Sequence, residues 1–282
     1  MNSDFVYKGT KASLLTKHCK ERVIKPVFEK ATGCEIIVES QFDTDLFGTF
    51  TREIPRQGTQ IEAARMKAQK GMELLGTALG LASEGSFGAH PATPFLPWNR
   101  EILFLTDRIN KIEIFGEYAG CETNFSSMEV KSLTEAEAFA RKAGFPEHFL
   151  VINTKDEEKK WIKGIQTWEK LKEIVTWSLK KSKYGSITLE TDMRANANPT
   201  RMLNILKATE NLIQKINQKC PRCETIGFAV ADFKSGLPCE SCGLPTGEIM
   251  AEIYKCQKCS YTMEVLVGKD KADPGRCPFC NP

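Results

Sequence analysis

An α/β domain with a mixed sheet and flanking helices, followed by a small module folded around cysteines, is the architecture this 282-residue sequence predicts. Three observations carry it. Short apolar runs alternate with stretches of helical period as far as about residue 218. The first 40 residues already read strand, helix, strand, the pattern of a βαβ unit. Eight of the 11 cysteines fall in the last 63 residues, as four pairs of identical internal spacing. The expected domains are therefore 1–218 and 219–282.

In order along the chain, ASLLT (12–16) and CEIIVE (34–39) are the first two strands, with a helix over 20–31 between them. A turn-rich stretch leads to a helix over 60–75. Thr59 and Glu62 fit a capping box there, and Gly76 stands where a helix-ending glycine belongs. TALGLASEG is a strand opening into a glycine turn, and REILFLTDR with KIEIFGEYA forms a hairpin turning near Ile109 and Asn110. A helix over 134–143 stops at Gly144, and FLVIN is a strand. Residues 165–181 read as an amphipathic helix whose Trp168, Leu171, Val175 and Leu179 share a core-facing side. SITLET is the last strand of the domain. Asn198 and Pro199 then open a helix reaching about Asn217.

Composition narrows the function classes. With 41% hydrophobic and 27% charged residues, the chain reads as an ordinary globular protein. No apolar run approaches the roughly 18 to 20 residues that a bilayer span needs. The N-terminus lacks the apolar centre of a signal peptide. A cytoplasmic location is expected, where thiols stay reduced and paired cysteines indicate metal.

The pairs are Cys220/Cys223, Cys239/Cys242, Cys256/Cys259 and Cys277/Cys280. Two intervening residues let both sulfurs of one turn reach a single ion, and two such knuckles complete a tetrahedron. Two structural zinc ions are expected, with every coordination position filled by sulfur. Sequential pairing would give tandem zinc ribbons and is the preferred reading; interleaved pairing stays open. From Cys220 to Pro282 there are seven Lys or Arg and eight Asp or Glu. Two four-thiolate zinc sites would bring that region to about −5. A nucleic-acid-binding ribbon would be basic, so nucleic acid is not the expected partner, whereas a protein partner is. Cys19, Cys34 and Cys121 read as buried small side chains.

Three segments of the large domain place polar groups where a strand yields to a helix or turn. Thr16 and Lys20 could form a phosphate cradle at a helix N-terminus, or serve as a cap and a surface lysine. Glu62 is either the capping-box partner of Thr59 or a site acid. Glu84, followed by Gly85 at a strand end, suits a metal ligand or a turn acid. Asp43, Asp45 and Asp192 are further acids in turn-like segments.

Thr16 to Lys20, Thr59-x-x-Glu62-x-Ala64-x-x-Lys67-Ala68 and Ala82-Ser-Glu84-Gly85 follow one another as in inosine/xanthosine triphosphate pyrophosphatases, which this part of the chain distantly resembles. The helix Asn of that family is Ala63 here. The resemblance implies a pyrophosphatase-like fold and hydrolysis of a nucleoside triphosphate or related phosphoanhydride. It also implies Glu62 and Glu84 as catalytic ligands of Mg²⁺, with Lys20, Lys67, Arg194 and Arg201 neutralising phosphate. A binding module without turnover is the alternative. The stretches Phe42–Thr51, Gly80–Gly88, Glu190–Ala195 and Asn198–Arg201 resemble an uncharacterised bacterial family known only as a domain of unknown function.

Overall fold

A computed structural model describes residues 5–44, 58–154 and 161–282. Asp45 and most of the 42–51 stretch lie outside the described residues. By compactness the chain divides into two units, one of residues 1–109 and 115–213, the other of 110–114 and 214–282.

The first unit opens with β1 (Lys11–Leu15), α1 (Glu21–Thr32), β2 (Glu35–Glu39), α2 (Gln60–Leu75) and β3 (Leu79–Ala89). Both β2 and β3 pair with β1 in parallel. Each connection is therefore a strand–helix–strand crossover, and the right-handed rule places α1 and α2 on opposite faces. β4 (Pro97–Asp107) and β5 (Ile112–Gly120) extend the sheet antiparallel, giving the order β2-β1-β3-β4-β5. The sheet is mixed, as the sequence predicts.

Sequence explains why α2 sits where it does. Thr59 accepts from the Glu62 amide, Glu62 accepts from the Thr59 amide, and Gly76 closes the other end in the left-handed region. The buried stripe is small: Ala63, Ala64, Ala68 and Gly71. This lets the helix lie close to the strands, and a Cβ on Gly80 would stand 2.6 Å from Ala68 O. On α1, Ile24 and Phe28 are fully buried one turn apart, each contributing roughly 1.5–3 kcal/mol of burial.

A second sheet follows in the same unit. Its elements are β6 (Ser127–Val130), α3 (Leu133–Ala143), β7 (Leu150–Asn153), β8 (Trp161–Ile165), α4 (Trp168–Lys181) and β9 (Ile187–Thr191). The order is β6-β9-β7-β8, antiparallel throughout. α3 and α4 share one core with it, where Leu171 and Val175 are fully buried and Trp168 and Leu179 pack at the margin. The expected helix over 165–181 is shorter than read: Ile165 ends β8, and Thr167 caps α4 by accepting from the Lys170 amide. Gly164, at φ 72°, interrupts the strand pattern of β8, so the sequence carries no clear signal for it. β6 was likewise not read from the sequence. α5 (Pro199–Asn217) completes the series of helices. No helix of the described residues is long and apolar enough to cross a membrane.

The second unit contains β10 (Ala229–Ser235), β11 (Ile249–Lys255) and β12 (Thr262–Leu266), an antiparallel sheet in that order. It also takes in the β4–β5 turn, where Gln257 exchanges two hydrogen bonds with the main chain of Glu113.

Candidate metal centres and a buried charge cluster

The eight paired cysteines form two tetrads: Cys220, Cys223, Cys256 and Cys259; and Cys239, Cys242, Cys277 and Cys280. Within each, all sulfurs lie within 4.8 Å of one another. The pairing is interleaved, first knuckle with third and second with fourth, which overturns the sequential expectation and with it the tandem ribbons.

The strand path explains why. Ala229 pairs with Lys255, so β10 begins and β11 ends beside one another, holding the first and third knuckles at one end of the sheet. Ser235 pairs with Ile249 and Ala251 with Leu266, so the second and fourth knuckles follow the opposite end. Seven residues of strand separate the two ends by about 20 Å. Sequential knuckles cannot meet.

Each knuckle closes by the same bond: the amide four residues after its first cysteine donates to that cysteine's carbonyl, from Glu224, Gly243, Ser260 and Asn281 at 2.8–3.1 Å. Closest sulfur separations are 3.6 and 3.7 Å in one tetrad and 3.7 and 3.9 Å in the other. A tetrahedron of bonds near 2.3 Å has edges of about 3.8 Å, so the residues fit a single thiolate-bound ion at each place. The Thr225 hydroxyl and amide draw the Cys223 thiol down to about 6, and the Cys242 amide draws Cys239 down to about 7. Both effects favour a thiolate, whereas the Cys259 and Cys280 thiols, hydrogen-bonded to the neighbouring sulfurs, are pushed up to about 12. Of the unpaired cysteines, Cys34 is buried as expected, but Cys19 is half-buried and Cys121 exposed.

In the first unit, β1 lies between β2 and β3, so the chain crosses to opposite sides after its carboxyl end. Such a switch point leaves a crevice beyond the strand ends in open α/β sheets. Several predicted residues converge there. Continuing the register of Leu14 with Leu81 sets Thr16 level with Ser83 on the same face. Cys19, at φ 57°, turns the chain so that Lys20 reaches back, its ammonium donating to Ser83 O at 2.7 Å and Ser83 Oγ at 3.5 Å. On the other face Lys67 of α2 forms an ion pair with Glu84. Thr16, Lys20, Lys67 and Glu84 are 4–9% exposed, which leaves each a small area at the rim.

Arg201 of α5 completes the cluster from behind. Its Nε donates to Glu101 at 2.9 Å, its Nη1 to Met193 O, and both side chains are fully buried. Gly85 leaves room for this pair, because a Cβ would lie 2.5 Å from both Arg201 Nη2 and Glu101 Oε1 and one of them would have to shift. Asn99 donates to Glu101, and Asn204 to Asn99. Burial, then the Arg201 guanidinium, pull the Lys20 ammonium down to about 7.

Other predicted residues lie elsewhere. Glu62 is exposed on α2, its carboxylate accepting from the Thr59 amide at 2.6 Å, and that bond holds its pKa below the usual range. It does not join Glu84, so the expected pair of carboxylate ligands is not formed. Arg194 packs near Gly164 and grips Asp192 through Nε and Nη2. Arg201 meets Glu101 in the interior, out of contact range of a rim ligand. Asp43 pairs with Lys17. Among the described residues, the two cysteine tetrads are the groups in which three or more His, Cys, Asp or Glu converge. Of the two carboxylates expected to hold Mg²⁺, Glu84 is in this cluster, ion-paired with Lys67. Glu101 is the participant that sequence reasoning missed, since an acid within the strand segment REILFLTDR gives no signal of a partner 100 residues away.

A groove of about 630 Å³ lies apart from this cluster, lined by Phe95, Leu96, Asn124, Phe125 and Phe139 among others, and none of the predicted site residues borders it.

A family model described as a domain of unknown function (DUF6671) matches residues 67–282, and the chain belongs to that family. No curated protein matches the chain. The matched stretch holds Lys67, Glu84, Glu101, Arg201 and all eight paired cysteines; Thr16 and Lys20 precede it.

Proposed function

We propose that this member of the DUF6671 family binds a nucleoside triphosphate or related phosphoanhydride at the carboxyl end of β1, beside Ser83 and Glu84 in the middle of β3, and carries two structural zinc ions in its C-terminal unit. The observation that supports the first part is the charge balance of the buried cluster. Lys20, Lys67 and Arg201 stand against Glu84 and Glu101, three basic side chains to two carboxylates, an excess of one positive charge once Lys20 is protonated. In a region of low dielectric such an excess favours an anion strongly. Thr16 Oγ, Lys20 Nζ and Lys67 Nζ are donors that phosphate oxygens could accept from. Glu84 orients Lys67, and Glu101 with Arg201 fixes the wall behind Lys20.

The phosphoanhydride enters the proposal through the sequence resemblance of this part of the chain to inosine/xanthosine triphosphate pyrophosphatases. Hydrolysis enters the proposal through Glu84, the carboxylate at the rim. A divalent cation arriving on the substrate phosphates would meet Glu84 as the carboxylate at the rim. Zinc is proposed for the tetrads because four thiolates at tetrahedral spacing, with no open position, suit a structural zinc ion.

Thermal unfolding with a panel of nucleoside triphosphates tests the binding reading. A ligand at about 100 times its Kd should stabilise by about 2.7 kcal/mol, and Lys67→Met should abolish the shift. Pyrophosphate release lost in Glu84→Gln would establish hydrolysis, whereas stabilisation without release would establish a binding module. No response to any nucleotide or to inorganic triphosphate would sink the reading.

A protein-binding role for the C-terminal unit is favoured by its exposed apolar side chains, among them Phe233, Leu266 and Phe279 at 55%, 69% and 62%. Its acidity points to a basic partner. A Phe233→Ser, Leu266→Ser variant that leaves co-purifying partners unchanged would remove this second reading.

A further inference from the structure

Within the cluster, both carboxylates are already ion-paired, Glu84 with Lys67 and Glu101 with Arg201. The third cation is different. The Lys20 ammonium rests on two neutral oxygens, Ser83 O and Ser83 Oγ, at 8% exposure. Beside it the Thr16 hydroxyl is 4% exposed and has no hydrogen-bond partner among the described residues. A buried cation without a counter-ion and a buried hydroxyl without a partner each cost free energy, and one oxyanion would satisfy both.

We infer that an anionic ligand group and one proton enter this site together, the ligand supplying the missing counter-ion and the Lys20 amine taking up the proton. The inference rests on the phosphate-binding reading above and adds its pH regulation. Without ligand, desolvation and the charges of Arg201 from α5 and Lys67 from α2 disfavour the ammonium, while Glu84 from β3 and Glu101 from β4 favour it. The balance sets the amine near 7. An oxyanion at hydrogen-bond distance reverses that balance. The step is an acid–base one: a neutral amine and a solvent proton become an ammonium hydrogen-bonded to the ligand oxygen, and no other bond changes. Affinity should therefore rise as pH falls, by about tenfold per unit above pH 7.

Isothermal titration of the full-length zinc-loaded protein with inorganic triphosphate, in buffers of differing ionisation enthalpy, measures the protons taken up. The ligand's own titration is cancelled by subtracting the Lys20→Arg variant, whose charge is permanent. Lys20→Met serves the same purpose if arginine perturbs the fold. The difference should approach one proton per site at pH 8.5 and shrink toward zero at pH 6. Binding by the wild type with no such difference overturns the inference and leaves the phosphate-binding reading standing. No binding by any of the three proteins overturns both.

Discussion

The two units solve the problem of a stable interior in opposite ways. In the first, fully buried Leu14, Phe28, Leu81, Phe104 and their neighbours form a hydrophobic core large enough to enclose ion pairs such as Arg201–Glu101. In the second, all five residues of β12 and five of the seven in β10 are exposed, and much of what is buried is sulfur: Cys220, Cys239, Cys256 and Cys277 at 0–2%. A chain that small cannot bury enough apolar surface, so a bound ion must supply the missing cohesion. Charge is tolerated inside the first unit because the core around it is secure, whereas in the second the two cysteine tetrads, with the zinc proposed for them, would be the core.

Removing metal should break this symmetry most visibly. Stripping both ions should cost the second unit on the order of 10 kcal/mol, enough to unfold it. Hydrogen exchange should then show β10 to β12 unprotected while β1 to β4 stay protected. Elemental analysis sharpens the result. Cys220→Ser combined with Cys256→Ser should retain one zinc, because both cysteines serve the same tetrad, whereas Cys220→Ser with Cys239→Ser should retain none. Sequential pairing would return the opposite outcome.

The buried pair of the first unit comes next. Glu101→Gln leaves the Arg201 guanidinium enclosed without its partner and should cost about 3–5 kcal/mol in urea unfolding. Gly85→Ala should cost about 1–3 kcal/mol through the clash with the same two groups. Zinc content should not change in either variant. The smallest effect belongs to the α2 cap, where Thr59→Ala should cost about 1 kcal/mol.

The pH dependence of stability should also differ between the units. The Lys20 amine titrates near 7 in the folded chain and near its ordinary 10.5 when unfolded. The unfolded state therefore binds more protons between these values, and this residue makes stability rise with pH across that window. Lys20→Met should remove the rise.

Much was legible because its cause is local. α2 runs over 60–75 as read, since Thr59, Glu62 and Gly76 determine its ends by bonds that span a few residues. The four knuckles are equally local, each closed by one hydrogen bond over four residues. Glu62 shows the limit of the same logic: its capping role and its role as a site acid look identical in sequence, and only the 2.6 Å bond to the Thr59 amide separates them.

By itself, then, the sequence determined the order of the first sheet's elements, the caps of its helices and the four cysteine knuckles, because short-range sterics and hydrogen bonding dictate each of these. Tertiary structure alone decided which knuckles share an ion, which depends on where three strands carry the chain. It also decided which charges meet at the switch point, where Lys20 reaches Ser83 across 63 positions and Arg201 reaches Glu101 across 100. Contacts of that range arise from the packing of whole elements, and no local pattern of residues encodes them.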